Sequence, residues 1–284
     1  MSTYLKCIPA RSTQFINTKK RNIDFYEAFR MYARELTILA GNSKNVKSGK
    51  ADSYSRYLVR LVYNYEMIFN DKINDLDSFF AYEKLNKLTQ IIDYSIFNKN
   101  ENHFPSATLN CYLSYLTFLN DKVEKFRDNE MNAQINLLSY KDSMESLTDK
   151  SISSKKNRGN KIFINGRYSY SRNIIESNKA KMNSGWKCEY NNNHKTFTNI
   201  RNKEPYIEAH HLIPMAAQDY FLYNIDFSDN IVCLCPTCHS KIHHSIYPER
   251  KKTIETLFNK REFKYEKYGI EIDRGKLLTF YGVL

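Results

Sequence analysis

Four of the six cysteines and six of the seven histidines fall between Cys188 and His244, one fifth of a 284-residue chain. Cysteines and histidines used only for packing would be scattered with the core, so this concentration points to metal coordination. The densest stretch is CLCPTCHSKIHHS, Cys233 to Ser245, with three cysteines in six residues and three histidines in the next six. Cys7, Cys111 and His103 lie outside the window. Cys111 sits in a helical pattern and reads as a small buried apolar group. Six cysteines in a chain this long do not indicate a disulfide scaffold.

The spacings separate the donors into two groups. Cys235-Pro-Thr-Cys238 is a two-residue-spaced pair, the usual half of a tetrahedral zinc site. The other half must come from upstream, where Cys188 is the nearby cysteine and His194 the available soft donor. The expected structural zinc ligands are therefore Cys188, His194, Cys235 and Cys238. Cys233 is the alternative fourth ligand. It alternates onto the same strand face as Cys235, although its apolar surroundings in IVCLC favour a core role. His239 and His243 are four apart in a segment that should enter a helix, so both imidazoles share one face and can bind one ion. His244 is rotated off that face. His210 and His211 are neighbours in a strand-like run that stops at Pro214. They point opposite ways and suit two jobs, one as ligand and one as base. A thioredoxin-like context for the CxxC pair is missing, which argues against redox chemistry.

The rest of the chain frames this window. Residues 22–40 read as an amphipathic helix ending at Gly41-Asn42, followed by a polar loop. A second helix runs from Asp52, with Leu58, Leu61, Val62, Tyr65, Ile68 and Phe69 on one face. A third is expected from about Asp77 to Phe97. A fourth follows Pro105-Ser106, and a weaker helical pattern continues to about Leu147. The expected organisation is an all-helical domain at 1–148, a Ser-, Lys- and Asn-rich linker at 149–160, and a second domain at 161–284. Net charge is +12, which favours a polyanionic partner. Ser151 to Lys187 holds nine Lys or Arg against one acid, Glu176, with Phe163, Tyr168 and Tyr170 among them. Lys155, Lys156, Arg158, Lys161, Arg167 and Arg172 are the candidate nucleic-acid contacts. A solvated basic linker and helix face is the competing reading. With no apolar run of membrane length and no signal-like N-terminus, no membrane partner is expected and the simplest expectation is a cytoplasmic protein.

The ordered set Cys188, His194, EAHHLIP (208–214) and DNIVCLCPTCHSKIH (229–243) resembles the HNH, or ββα-metal, nuclease family. It looks most like stand-alone bacterial restriction-type members with a zinc knuckle, over roughly residues 160–284. The resemblance implies an α+β, mostly α protein, with an N-terminal all-helical domain followed by a zinc-stabilised ββα-metal domain. It implies that His211 is the general base, that Asn230 orients it, and that His210, His239 and His243 hold the catalytic ion. Two departures bear on the metals. Many members have a second Cys pair where this chain offers Cys188 and His194. Many have Asp at position 210 and Asn at 239, and histidine at both makes manganese or nickel more plausible beside magnesium, which prefers oxygen.

The implied function is a metal-dependent endonuclease acting on double-stranded DNA in restriction or phage defence, leaving 5′-phosphate and 3′-hydroxyl ends. The expected cofactors are a structural Zn2+ and a catalytic Mg2+, Mn2+ or Ni2+. A cut through both strands points to a homodimer. Two other classes fit parts of the pattern: a non-catalytic zinc nucleic-acid-binding protein, and an RNA-cleaving toxin of the same fold. The second histidine set speaks for the enzyme, because a purely structural zinc module has no use for it.

Overall fold

A computed structural model describes residues 4–40, 49–137, 151–164 and 167–284, with the backbone alone described at 122–125, 136–137, 164 and 167. The described residues are mostly helical, with two small two-stranded sheets. They divide into two compact units, Met1–Leu119 with Tyr281–Leu284, and Asn120–Phe280.

The first unit is built from helices. Helix α1, Thr13–Lys20, starts at Ser12, whose hydroxyl accepts the Phe15 N–H at 3.2 Å. Its few apolar residues left no periodic signal. Helix α2, Ile23–Leu39, and α3, Gly49–Phe69, follow the expected apolar spacing and pack together. They bury Tyr26, Phe29, Leu58, Leu61 and Tyr65. The single helix expected over about 77–97 is instead α4, Phe79–Asn86, a 3-10 turn at Lys87–Gln90, and α5, Tyr94–Asn100. The chain becomes extended at Ile91. Thr89, Ile91 and Ile92 are β-branched in near succession, which weakens a helix there. Helix α6, Phe104–Leu137, gives its first part to this unit and the remainder to the second. The expected stop at Gly41-Asn42 and the helical pattern from 138 to 147 lie outside the described residues.

In the second unit, 151–160, expected to be a linker, is hydrogen-bonded along its length. Lys155 N–H donates to Lys267 O at 3.1 Å, and Asn224 N–H to Lys156 O at 2.8 Å. Ile152 is buried, and the buried Glu176 carboxylate accepts its N–H together with that of Ser228, the latter at 2.7 Å. Strands β1, Ile162–Ile164, and β2, Arg167–Ser169, form one hairpin. Helix α7, Ile174–Asn183, packs against strands β3, Glu208–His211, and β4, Ile231–Leu234. These two strands are antiparallel, with Ala209 opposite Cys233 and His211 opposite Ile231. Helices α8, Pro236–His244, α9, Tyr247–Asn259, and α10, Arg274–Phe280, complete the unit.

Two strands bury little by themselves, and neighbours complete this sheet. Ala209 and Cys233 turn their peptide groups outward at the same rung. On one side Asn132 of α6 mimics a peptide, accepting the Ala209 N–H at 2.8 Å and donating to its carbonyl at 2.9 Å. On the other, Glu189 accepts the Cys233 N–H at 2.6 Å through its carboxylate and donates its own N–H to the Cys233 carbonyl at 2.9 Å. Below the sheet lies a core of Met131, Ile135, Ala180, Trp186, Ile207, Ala209, Ile231 and Cys233.

Candidate metal centre

Both donor groups grow from this hairpin and the helix that follows it. Pro236 pre-sets the first turn of α8, and Cys235 caps it, its Sγ accepting the Cys238 N–H at 3.4 Å. The Glu189–Cys233 pairing draws the preceding Cys188 to the same place. The donor atoms of Cys188, His194, Cys235 and Cys238 lie within 4.8 Å of one another. His194 Nδ1 is 3.3 Å from Cys238 Sγ and 3.5 Å from Cys235 Sγ. A tetrahedral zinc with Zn–S near ~2.3 Å and Zn–N near ~2.0 Å has S···N edges of about 3.5 Å, so this donor set fits the ion. Burial opposes ionisation of Cys188, but backbone hydrogen bonds from Cys235, Asn191 and Tyr190 and the contact with His194 bring its thiol down to about 7. Burial, then the neighbouring Cys235 and Cys188, push Cys238 the other way. One thiolate forms readily and the next needs a cation beside it, as a metal-binding cluster requires. Three of the four residues are buried, and His194 is exposed. Cys233 is outside the cluster. It is enclosed in the apolar core, and burial raises its thiol to about 12.

The second group is His210, His239 and His243, whose donor atoms also lie within 4.8 Å of one another. Their ring centroids are 4.9–5.1 Å apart. Burial, then the neighbouring His243 and His239, hold His210 well below the ordinary histidine pKa, so it presents a neutral imidazole as a ligand must. Strand alternation puts Glu208 on the same face as His210. Its carboxylate meets His239 Nδ1 at 2.6 Å. A carboxylate can only accept, so His239 donates from Nδ1 and offers Nε2 to an ion. The group opens on a cleft of about 260 Å³ lined by Asp128, Asn129, Glu208, His239, Ser240, His243 and His244. His244 is exposed on its rim, outside the three-histidine group. Three imidazoles open to a cleft suit a transition metal that keeps positions for water or substrate.

His211 points to the other face of β3 and is fully buried. Asp226 Oδ1 lies 2.9 Å from its Nε2, and Asp128 Oδ1 lies 3.6 Å from its Nδ1. The adjacent Arg172 and Asn173 hold the two carboxylates. Arg172 Nε donates to Asp128 at 2.6 Å, and the Asn173 N–H donates to Asp226 at 2.6 Å. Burial works against charge on His211, but Asp128 and Asp226 outweigh it and raise the ring to about 9. A cation on the three histidines would oppose this by like-charge repulsion. Burial opposes ionisation of Asp128 too, yet Arg172 and His211 keep it well below the usual carboxylate range.

Asn230 does not hydrogen-bond the His211 ring. It clasps the loop between them, its side-chain carbonyl accepting the Ile213 N–H at 2.8 Å and its amide donating to the carbonyls of Ile213 and Ile225 at 3.0 and 2.8 Å. Leu212 N–H also donates to the Asn230 carbonyl at 2.8 Å. Asn230 therefore fixes the backbone just after His211 and just before Asp226.

The basic residues are spread through the same unit. Arg158 donates to the carbonyls of Asp219 and Phe221 at 2.9 and 3.1 Å, and Lys161 pairs with Asp219 at 2.5 Å. Lys155 Nζ lies over the Tyr223 ring, 4.3 Å from its centroid, and Lys156 is exposed. Arg172 is turned inward to Asp128 and its side chain is only 4% exposed. Arg167 lies on β2, and its side chain is outside the described residues. Exposed Phe163 and Tyr168 face each other across that hairpin, with ring centroids 5.0 Å apart.

Asp128, Asp226 and Glu208 join the site without having been singled out in the sequence. Glu208 had a signal, being two residues before His210 on one strand. Asp128 had none.

The chain is similar to the type IV methyl-directed restriction enzyme EcoKMcrA of Escherichia coli (strain K12), with 37% identity over 59 residues. The match spans 21% of this chain and 19% of that protein. No family model matches the chain, and no solved structure matches it. Among the described residues no helix is long and apolar enough to cross a membrane.

Proposed function

We propose that this protein is a metal-dependent DNA endonuclease of the HNH kind, acting in restriction. The observation that carries the reading is the pairing of a four-donor Cys3His cluster with a separate three-donor histidine cluster beside a cleft, the two meeting at one hairpin and the helix after it. A module that only folded around zinc and bound nucleic acid would need the first and not the second. The short similarity to a restriction enzyme favours DNA as the substrate.

In this reading Cys188, His194, Cys235 and Cys238 hold a structural zinc, and His210, His239 and His243 hold the catalytic cation. That cation supplies stabilisation of charge developing on the scissile phosphate. His211 accepts the proton of the attacking water. Asp226 holds its Nε2 edge and Asp128 faces its Nδ1 edge. Asn230 fixes the loop that presents both. Lys155 and Lys156 meet the DNA backbone. Arg158 and Lys161 join them by exchanging Asp219 for phosphate. Hydrolysis leaves 5′-phosphate and 3′-hydroxyl ends, as the resemblance implies. An all-imidazole donor set favours Mn2+ or Ni2+ over Mg2+.

The test is cleavage of unmodified DNA, methylated DNA and RNA by purified protein with Mn2+, Ni2+ or Mg2+. Cation-dependent cleavage of DNA that is lost in His211→Ala is the expected result. DNA bound but left intact under all three cations would replace the enzyme with a zinc-binding DNA adaptor. Cleavage of RNA alone would make the protein a ribonuclease. Full activity in His211→Ala would remove that residue from the role of base.

A further inference from the structure

Apolar side chains exposed singly are ordinary on a protein surface. On the β1–β2 hairpin two aromatic rings are exposed side by side. Phe163 is 62% exposed and Tyr168 is 68% exposed. They are cross-strand partners, so both rings leave the same face of the hairpin. Ile162 pairs with Ser169 on the opposite face, and Ser169 is buried. The hairpin therefore rests on the protein through one face and turns its aromatic face to solvent. The two ring planes meet at 55°, with centroids 5.0 Å apart. Rings tilted in this way do not cover each other's flat faces.

Cross-strand aromatic pairs help to hold two strands together. The surroundings point to a second use. Lys161 is two residues before Phe163 and Tyr170 two after Tyr168, so strand alternation gives both to the aromatic face. Lys161 Nζ lies 5.5 Å from the Tyr170 ring centroid. Arg158 and Lys161 both reach Asp219, at 3.9 and 2.5 Å, and the Tyr170 hydroxyl donates to it at 2.7 Å. Within Ser151–Lys187 the one acid is Glu176, and it is buried. Open rings beside cations fit a nucleic acid, whose bases stack on the rings and whose phosphates pair with the cations.

The hairpin is also tied to the histidine cleft. Arg172 follows Tyr168 by four residues, a reach of at most about 14 Å. Its guanidinium donates to the Tyr170 carbonyl at 3.1 Å and to Asp128, which lines the cleft, at 2.6 Å. One turn of duplex DNA is about 34 Å long, so a duplex seated at the cleft is long enough to reach the rings.

We infer that the Phe163–Tyr168 pair is a DNA contact, a wedge that stacks on a nucleobase and opens one base step while Lys161 meets a neighbouring phosphate. Stacking accepts any base, so the wedge adds affinity and distorts the duplex without reading its sequence. The inference deepens the nuclease reading and rests on it only for DNA as the occupant.

The experiment measures affinity in Ca2+ for a short random-sequence duplex over a range of salt concentrations, with the fluorescent base 2-aminopurine reporting unstacking. Phe163→Val and Tyr168→Val each remove a ring and put in a good strand former. Each should weaken binding about 10-fold or more, leave salt dependence and Tm unchanged, and reduce the 2-aminopurine rise. Tyr168→Phe keeps a ring and should recover most of the affinity that Tyr168→Val loses. Lys161→Gln should lower the salt slope by about one and keep the fluorescence rise. Wild-type affinity in both valine variants overturns the inference. So does a loss of affinity that tracks a loss of Tm, which would make the pair a brace for the hairpin alone. Weaker self-association in the valine variants, with DNA binding intact, assigns the rings to a second copy of the chain and also overturns it. Cleavage is scored separately. A wild type that binds DNA through these rings but leaves it intact under Mn2+, Ni2+ and Mg2+ fails the nuclease reading and keeps the wedge. A wild type that cuts, with valine variants that bind as tightly, keeps the nuclease and fails the wedge. A wild type that binds no DNA fails both.

Discussion

The Cys188–His194–Cys235–Cys238 group has four donors, three of them buried, whereas the His210–His239–His243 group has three, of which only His210 is buried. They share one hairpin and one helix, with Cys238 and His239 adjacent in sequence. A closed donor set can fold the chain but has no position left for substrate. An open set with carboxylates nearby holds its ion less completely and keeps room for chemistry. In the proposed reading the division of labour follows from how many donors would reach each ion, more than from which residues supply them.

Perturbing each side should break this comparison in a different way. The largest effect belongs to Cys238→Ser. Zinc in small domains contributes ~10–16 kcal/mol of apparent binding energy to folding, so the variant should lose its tightly bound zinc and the cooperative melting of the second unit. Metal analysis and calorimetry check this, and a folded variant with one zinc would remove Cys238 from the ligand set. His243→Ala should behave oppositely. Cleavage should fall at least about 100-fold, the scale for losing one electrostatic group from an active site, while zinc content and Tm stay within error. A large drop in Tm would show that the open cluster is structural as well.

Glu208→Gln comes next. Losing the carboxylate on His239 should weaken the catalytic cation about 10- to 100-fold, read by titration with Mn2+ or Ni2+, with the zinc untouched. The smallest effect concerns Lys181, buried beneath the hairpin that carries both groups. Burial lowers its pKa from 10.5 to about 8, partly offset by Cys233 and Glu208. The unfolded chain therefore binds more protons than the folded one between those values, and stability rises with pH across that window. Below about pH 8 the buried charge is a cost. Lys181→Met should flatten the rise and stabilise the protein at pH 7 by about 1–2 kcal/mol, less than the full shift implies because surroundings relax around a buried charge. Unfolding curves at pH 7 and above pH 10 would show it, and an unchanged pH slope would count against it.

Spacing made much of this architecture readable. The i, i+4 pair His239 and His243, the CxxC pair, and the opposite facing of His210 and His211 follow from helix and strand periodicity, and the structure brings together the donors those periods group. The exposed His194 was reachable by elimination. Asp128 was not, because its partner His211 lies 83 residues further on and nothing local distinguishes it from any acid on a helix face. Asn230 acts through backbone groups of an irregular loop and Asp226 reaches the His211 ring from that loop, and no periodic pattern reports such contacts. The inward turn of Arg172 was equally hidden, since a basic residue in a basic stretch reads as surface until its carboxylate partner is known.

The closure of both outer edges of the β3–β4 hairpin has a consequence for how this protein behaves in a crowded cell. A short apolar strand with an open rim is a template on which another chain can extend the sheet, the first step toward aggregation. Asn132 and Glu189 occupy that rim at the same rung. Self-association of the folded protein is thereby steered away from this hairpin, and two copies meeting on a DNA duplex would have to do so through other surfaces. Truncating either side chain should make clumping the first symptom.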